Sequence, residues 1–139
     1  MVPQTTGKYG GDMPGENILI VDDEPLIGSS LKSELNDAGY HVDSVLSGVE
    51  ALEAVKRKKY DVVFIDEVMP GMDGVETCKA IMKISAGSIL IYMTGVFDSD
   101  NVVKELQFVD AGGQVHYLYK PFGTGEVLQV IVKALSGRK

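Results

Sequence analysis

Four short apolar runs constrain this chain more than any other feature of its sequence. They are Ile18-Leu19-Ile20-Val21, Val62-Val63-Phe64-Ile65, Ile89-Leu90-Ile91-Tyr92-Met93 and Val115-His116-Tyr117-Leu118-Tyr119. A strand with one wet face alternates apolar with polar residues, and none of these four does so strictly. Short β-rich runs without alternation are what strands covered on both faces look like. A fifth segment, His41 to Val45, does alternate and is predicted to lie at a sheet edge.

Helical segments fill the intervals. Pro25 suits a first helical position, Ile27, Leu31 and Leu35 follow at spacings of four, and Gly39 supplies the stop. Ser47-Gly48-Val49-Glu50 has the form of a capping box opening a helix with Leu52 and Val55. Val75, Cys78 and Met82 mark a third helix. Val102, Val103 and Leu106 mark a fourth, with Ser99 or Asp98 as its cap. Val127, Leu128, Ile131 and Leu135 mark the last. Strand and helix alternate five times, which predicts an α/β fold with a parallel sheet and helices on both faces. Residues 1–16 hold glycines and prolines but almost no large aliphatics, so they read as a flexible N-terminal tail. The remainder, 17–139, is expected to form one domain, as the length of 139 residues suits.

The residue that follows each buried run carries the chemistry. The first ends at Asp22-Asp23, the second at Asp66, the third at Thr94 and the fourth at Lys120. In a parallel sheet these ends share the carboxyl edge, where open α/β folds bind their ligands. Three carboxylates brought together repel one another, and one takes up a proton unless a cation offsets them. A hard, oxygen-seeking ion such as Mg²⁺ suits that role, because it takes one or two carboxylates, waters and phosphate oxygens. A lysine and a hydroxyl across the pocket supply a positive charge and a donor for a phosphoryl group. A carboxylate beside the metal can then act as a nucleophile and form an acyl phosphate. The pattern reads as a phosphoryl-accepting aspartate site.

Charge and composition narrow the field. With 20 acidic and 13 basic side chains the formal charge is -7, which repels phosphate backbones and argues against direct nucleic-acid binding. No apolar run approaches the roughly 20 residues of a membrane span, so no membrane insertion is expected. The single cysteine, Cys78, excludes an internal disulfide and fits a cytoplasmic location. On a helical apolar face it reads as a small core residue. Lys56-Arg57-Lys58-Lys59 reads as a solvated helix end favoured by the helix dipole.

Together these residues resemble the receiver domain of two-component response regulators, over about residues 17–137. The resemblance rests on Asp22-Asp23 after the first strand, on Asp66-x-x-Met69-Pro70-Gly71-Met72-Asp73-Gly74, on Thr94-Gly95 and on Lys120-Pro121-Phe122. It implies a doubly wound, flavodoxin-like fold with strand order 2-1-3-4-5, which sets Asp22 and Asp23 beside Asp66. It also implies that Asp66 is the phosphoacceptor. Asp22, Asp23, Asp66 and the backbone carbonyl of Val68 would hold Mg²⁺, Asp22 partly through water. Lys120 would pair with the phosphoryl group and Thr94 would hydrogen-bond it. Tyr117 matches an aromatic that turns inward when the threonine moves. The implied donor is a sensor histidine kinase or a histidine phosphotransfer protein, and the implied target is a downstream effector protein or output domain. Such a domain is a signalling switch rather than an enzyme, catalysing only its own phosphorylation and slow autodephosphorylation.

Two departures from the family pattern stand out. Position 67, usually aliphatic, is Glu67, which could face solvent or perturb the pocket. The segment Asp110-Ala111-Gly112-Gly113-Gln114 lengthens the approach to the last strand. Three other readings compete. An aspartyl-nucleophile phosphatase needs a second acid two residues after the nucleophile, and that position is Val68. A flavin-phosphate module needs a glycine- or hydroxyl-rich loop after the first strand, and Asp22-Asp23-Glu24-Pro25 would repel a phosphate. A docking module no longer regulated by phosphorylation is the remaining alternative, and the complete acceptor set speaks against it.

Overall fold

The computed structural model describes residues 15–94, 99–113, 117–120, 123 and 125–137, with the backbone alone at 99–102, 117 and 119. The elements are β1 (Asn17–Val21), α1 (Pro25–Asp37), β2 (His41–Val45), α2 (Gly48–Arg57), β3 (Val62–Asp66), α3 (Gly74–Ile84), β4 (Ile89–Thr94), α4 (Ser99–Asp110), β5 (Tyr117–Tyr119) and α5 (Glu126–Ser136). The five strands are parallel, as the sequence pattern leads one to expect, and run in the order β2-β1-β3-β4-β5 that the resemblance implies.

The first three unalternating runs are buried on both faces; of the fourth, Leu118 is buried, while Val115 and His116 lie outside the described residues. Leu19, Val21, Val63, Ile65, Leu90 and Tyr92 pack with α2, α3 and Phe108 of α4. Ile18, Ile20, Val62, Phe64, Ile91, Met93 and Leu118 pack with α1 and α5. Successive residues of one strand thus enter different cores, because side chains of a strand alternate in direction. β2 lies at the sheet edge and is covered only in part, with Val42 its one buried residue. The backbone pairing begins one residue before β1, where the His41 N–H donates to the Glu16 carbonyl at 3.0 Å. The tail predicted from 1–16 otherwise lies outside the described residues, apart from Gly15.

The caps follow their sequence signals with one change. Ser47 Oγ accepts from the Glu50 N–H at 3.1 Å, but Glu50 Oε1 accepts from the Leu46 N–H at 2.8 Å instead of from Ser47. The reciprocal arrangement is complete at α3, where Asp73 and Glu76 each accept from the other's backbone N–H, at 2.9 and 3.0 Å. Ahead of it, the turn from β3 into α3 depends on two glycines. Gly71 has φ +81°, a conformation that side chains with a Cβ rarely adopt. Gly74 lies so near β3 that a Cβ there would sit 2.6 Å from the Asp66 carbonyl oxygen.

α4 is turned differently from the expectation. Val103 and Leu106 are exposed, and Phe108 is the fully buried anchor. Its ring meets Tyr92 with centroids 4.5 Å apart and planes tilted by 30°. The cap predicted at Asp98 and the side chain of Val102 lie outside the described residues. Cys78 is buried, as predicted, and burial pushes its thiol up to about 12. Given these packings, Phe108→Ala should cost about 3–5 kcal/mol of unfolding free energy. Leu106→Ala should cost no more than about 0.5 kcal/mol. Urea denaturation of the two variants against wild type measures both.

Candidate functional site

The carboxyl edge gathers the residues that the sequence pointed to. Parallel pairing of β1 with β3 sets Val21 opposite Ile65, so the acidic residues that follow them converge. Carboxylate oxygens of Asp22, Asp23 and Asp66 lie within 4.8 Å of one another. Asp22 and Asp66 are buried and Asp23 is exposed, which leaves the cluster open on one side. Asp22 is held by its own loop, since its Oδ1 accepts from the Glu24 N–H at 2.9 Å.

Lys120 reaches into this cluster from the end of β5. Its Nζ lies 2.7 Å from Asp22 Oδ2, 3.3 Å from Asp66 Oδ1 and 3.3 Å from Glu24 Oε1. Glu24 was not among the residues singled out from sequence, where Asp-Asp-Glu-Pro served only as a loop that repels phosphate. The Lys120 N–H donates to the Thr94 carbonyl at 2.8 Å, continuing the β4–β5 ladder by one residue. Thr94 is fully buried at the end of β4.

Glu67 takes the inward of the two alternatives open to it. Thr94 Oγ1 donates a short hydrogen bond to Glu67 Oε1. Val68 is exposed beside it. β5 includes Tyr117, but its side chain lies outside the described residues, as do Gly95, Val96, Pro121 and Phe122.

Electrostatics follow from this crowding. Burial, and then the charge of Asp22, raise Asp66 to about 7, against the opposing pull of Lys120. For Lys120, burial favours the neutral form, yet the hydrogen bond it donates to Asp22 and the charge of Asp66 outweigh it and raise the lysine. One ammonium therefore faces several carboxylates, and the nearest way to relieve the excess is a proton or a second cation.

Comparison with known proteins decides the family. The profile of the response regulator receiver domain matches residues 18–132. The chain belongs to the response regulator receiver domain family. It is 33% identical over 132 residues to the transcriptional regulatory protein TcrA of Mycobacterium tuberculosis, covering 95% of this chain and 50% of that protein. It is 36% identical over 111 residues to the response regulator MprA of Mycobacterium leprae, covering 80% and 47%. This receiver domain thus spans about half the length of the curated relatives it matches. Among solved structures, the chemotaxis protein CheY4 of Vibrio cholerae aligns with TM-score 0.78 at 26% identity, over 86% of this chain and 98% of that one. A CheY-like receiver domain protein of Methanospirillum hungatei aligns with TM-score 0.79 at 30% identity, over 88% and 94%.

The raised Asp66 has a consequence for stability. The folded protein binds that proton more tightly than the unfolded chain, whose Asp titrates near 3.8. The resulting stabilisation is fully present below the unfolded value and is lost as pH rises through about 7. Without metal, Asp66→Asn should therefore be more stable than wild type at pH 8, by about 1–3 kcal/mol. The difference should shrink as pH falls toward 5. Urea unfolding in chelator across this range measures it.

Proposed function

We propose that Asp66 accepts a phosphoryl group from a phosphohistidine on a sensor histidine kinase or histidine phosphotransfer protein. The attacking oxygen forms the bond to phosphorus as the P–N bond of the donor breaks. The observation that carries this reading is the meeting of Lys120 with Asp22 and Asp66, beside the exposed Asp23. Residues 17–139 act as the receiver unit and residues 1–16 as its tail.

The donor set fits Mg²⁺ on chemical grounds. It consists of hard carboxylate oxygens with no sulfur or imidazole, and its negative charge exceeds what Lys120 offsets. Asp22, Asp23, Asp66 and the Val68 carbonyl would hold the ion, which supplies positive charge to the incoming phosphoryl oxygens. Lys120 answers the phosphoryl charge directly and Thr94 donates its hydroxyl to a phosphoryl oxygen. Tyr117 follows the threonine inward. The switch then acts on a downstream effector protein or output domain in the cytoplasm. With its charge of -7 the segment does not itself bind nucleic acid. Turnover as a phosphatase is disfavoured, because the position for a second acid holds Val68.

Incubation with acetyl phosphate and Mg²⁺ should label wild type once, at Asp66, as read by mass spectrometry. Asp66→Asn and excess chelator should each abolish the labelling. Labelling of the variant at another residue, or undiminished labelling in chelator, would count against the assignment. The lifetime of the phosphorylated form is a separate expectation. Exposed Val68 offers no hydrogen bond to a water in line with phosphorus. An orienting contact worth about 1.4 kcal/mol changes the rate about tenfold. Val68→Asn should accordingly speed phosphate release in excess Mg²⁺ by up to about that factor.

A further inference from the structure

We propose that Glu67 is a built-in competitor of the phosphoryl group for the Thr94 hydroxyl, and so sets how readily this receiver switches. The inference rests on the reading of Asp66 as phosphoacceptor. It starts from proton counting. A threonine hydroxyl has one proton to donate, while a carboxylate and a phosphoryl oxygen can only accept. In this structure the proton is directed to Glu67 Oε1. It cannot also serve a phosphoryl group on Asp66, so the switched state must break the Thr94–Glu67 bond.

The surroundings make that bond a defined alternative. The Glu67 N–H donates to the Met93 carbonyl at 2.9 Å, and the Glu67 carbonyl accepts from the Gly74 N–H at 3.1 Å. Its backbone is therefore pinned between β4 and α3, one residue past the last β3–β4 pair, Asp66 with Met93. On the other partner, Thr94 is fully buried, and its β-branched side chain has few rotamers to choose from. A hydrogen bond to a charged acceptor is stronger than one to a neutral group, so the bond to Glu67 favours one rotamer. Charge points the same way. Burial and then the charge of Glu67 hold the Tyr92 phenol above its ordinary range, so the charge of this carboxylate is felt in the buried aromatic layer. Phosphorylation adds about -1.5 to -2 of charge next to it. Repulsion then drives Glu67 outward, and only its side chain needs to rotate.

Beryllofluoride with Mg²⁺, a stable stand-in for the phosphoryl group, tests the competition in the 139-residue chain. Binding is followed by amide NMR in wild type, Glu67→Leu, Glu67→Gln, Thr94→Ala and Glu67→Leu/Thr94→Ala. Glu67→Leu should bind about tenfold tighter than wild type. Glu67→Gln, which keeps an acceptor on the same frame, should gain less. In the Thr94→Ala background the leucine substitution should lose most of its effect, because the contested proton is gone. An equal gain with and without Thr94, a gain for glutamine as large as for leucine, or no gain at all would overturn the proposal. A second measurement needs no phosphoryl analogue. Three-bond couplings to the Thr94 methyl in metal-free protein should report one rotamer in wild type and averaging in Glu67→Leu. Averaging in wild type would overturn the bond itself. If no variant binds beryllofluoride while the rotamer difference persists, the acceptor reading of Asp66 fails and takes the control by Glu67 with it.

Discussion

The ammonium of Lys120 is shared among Asp22, Asp66 and Glu24, and the carboxyl edge depends on that shortage of positive charge. Asp22 takes the shortest contact, at 2.7 Å, while Asp66 stands back at 3.3 Å and is pushed toward the neutral form. An offsetting cation would draw Asp66 back to its ionised form, the one able to act as a nucleophile. Three carboxylates are tolerated so close together because Asp23 is exposed to water, Asp22 and Asp66 share the lysine, and Asp66 is pushed toward its neutral form.

The deficit is held in place by the backbone. β1 and β3 are neighbours only because the chain order reverses there, and this brings the acidic pair beside Asp66. Lys120 and Thr94 are tied by a backbone hydrogen bond at the end of the β4–β5 ladder. A shift of Thr94 is therefore felt by the segment that carries the lysine. Gly74 contributes by letting α3 start against the Asp66 carbonyl, where any Cβ would collide.

Strand positions, their parallel order and the convergence of Asp22, Asp66, Thr94 and Lys120 were legible because a doubly covered strand must be apolar up to the point where it ends. The aspect of α4 was not. Val103 and Leu106 form an apolar stripe, and such a stripe looks the same whether it faces the core or solvent. What decided the matter was Tyr92 on β4, whose ring takes Phe108 as its partner, a pairing between residues distant in sequence. Glu24 escaped notice for a related reason. A lysine's reach spans several neighbouring positions, and spacing does not say which carboxylates it meets. Glu67 was closer to legible. The period of two puts Glu67 on the side of Ile65 and Thr94 on the side of Tyr92, and both Ile65 and Tyr92 belong to one core.

That parity changes how the extra carboxylate should be weighed. Glu67 is half-buried and placed against a hydroxyl, with the Asp22–Asp66–Lys120 cluster served by other side chains. An aliphatic side chain at this position would leave the buried Thr94 hydroxyl to find its acceptor elsewhere. A glutamate supplies one at once and stabilises the resting arrangement. The same bond is then a cost of switching, because the proton that satisfies Glu67 is the one a phosphoryl oxygen needs. A hydrogen bond to a charged acceptor is worth about 1.5–3 kcal/mol, against roughly 1 kcal/mol for a neutral one. Energies of this size shift a two-state equilibrium by an order of magnitude or more. On the proposed reading, a single residue beside Asp66 thus raises the threshold of the switch while leaving the Asp22–Asp66–Lys120 cluster untouched.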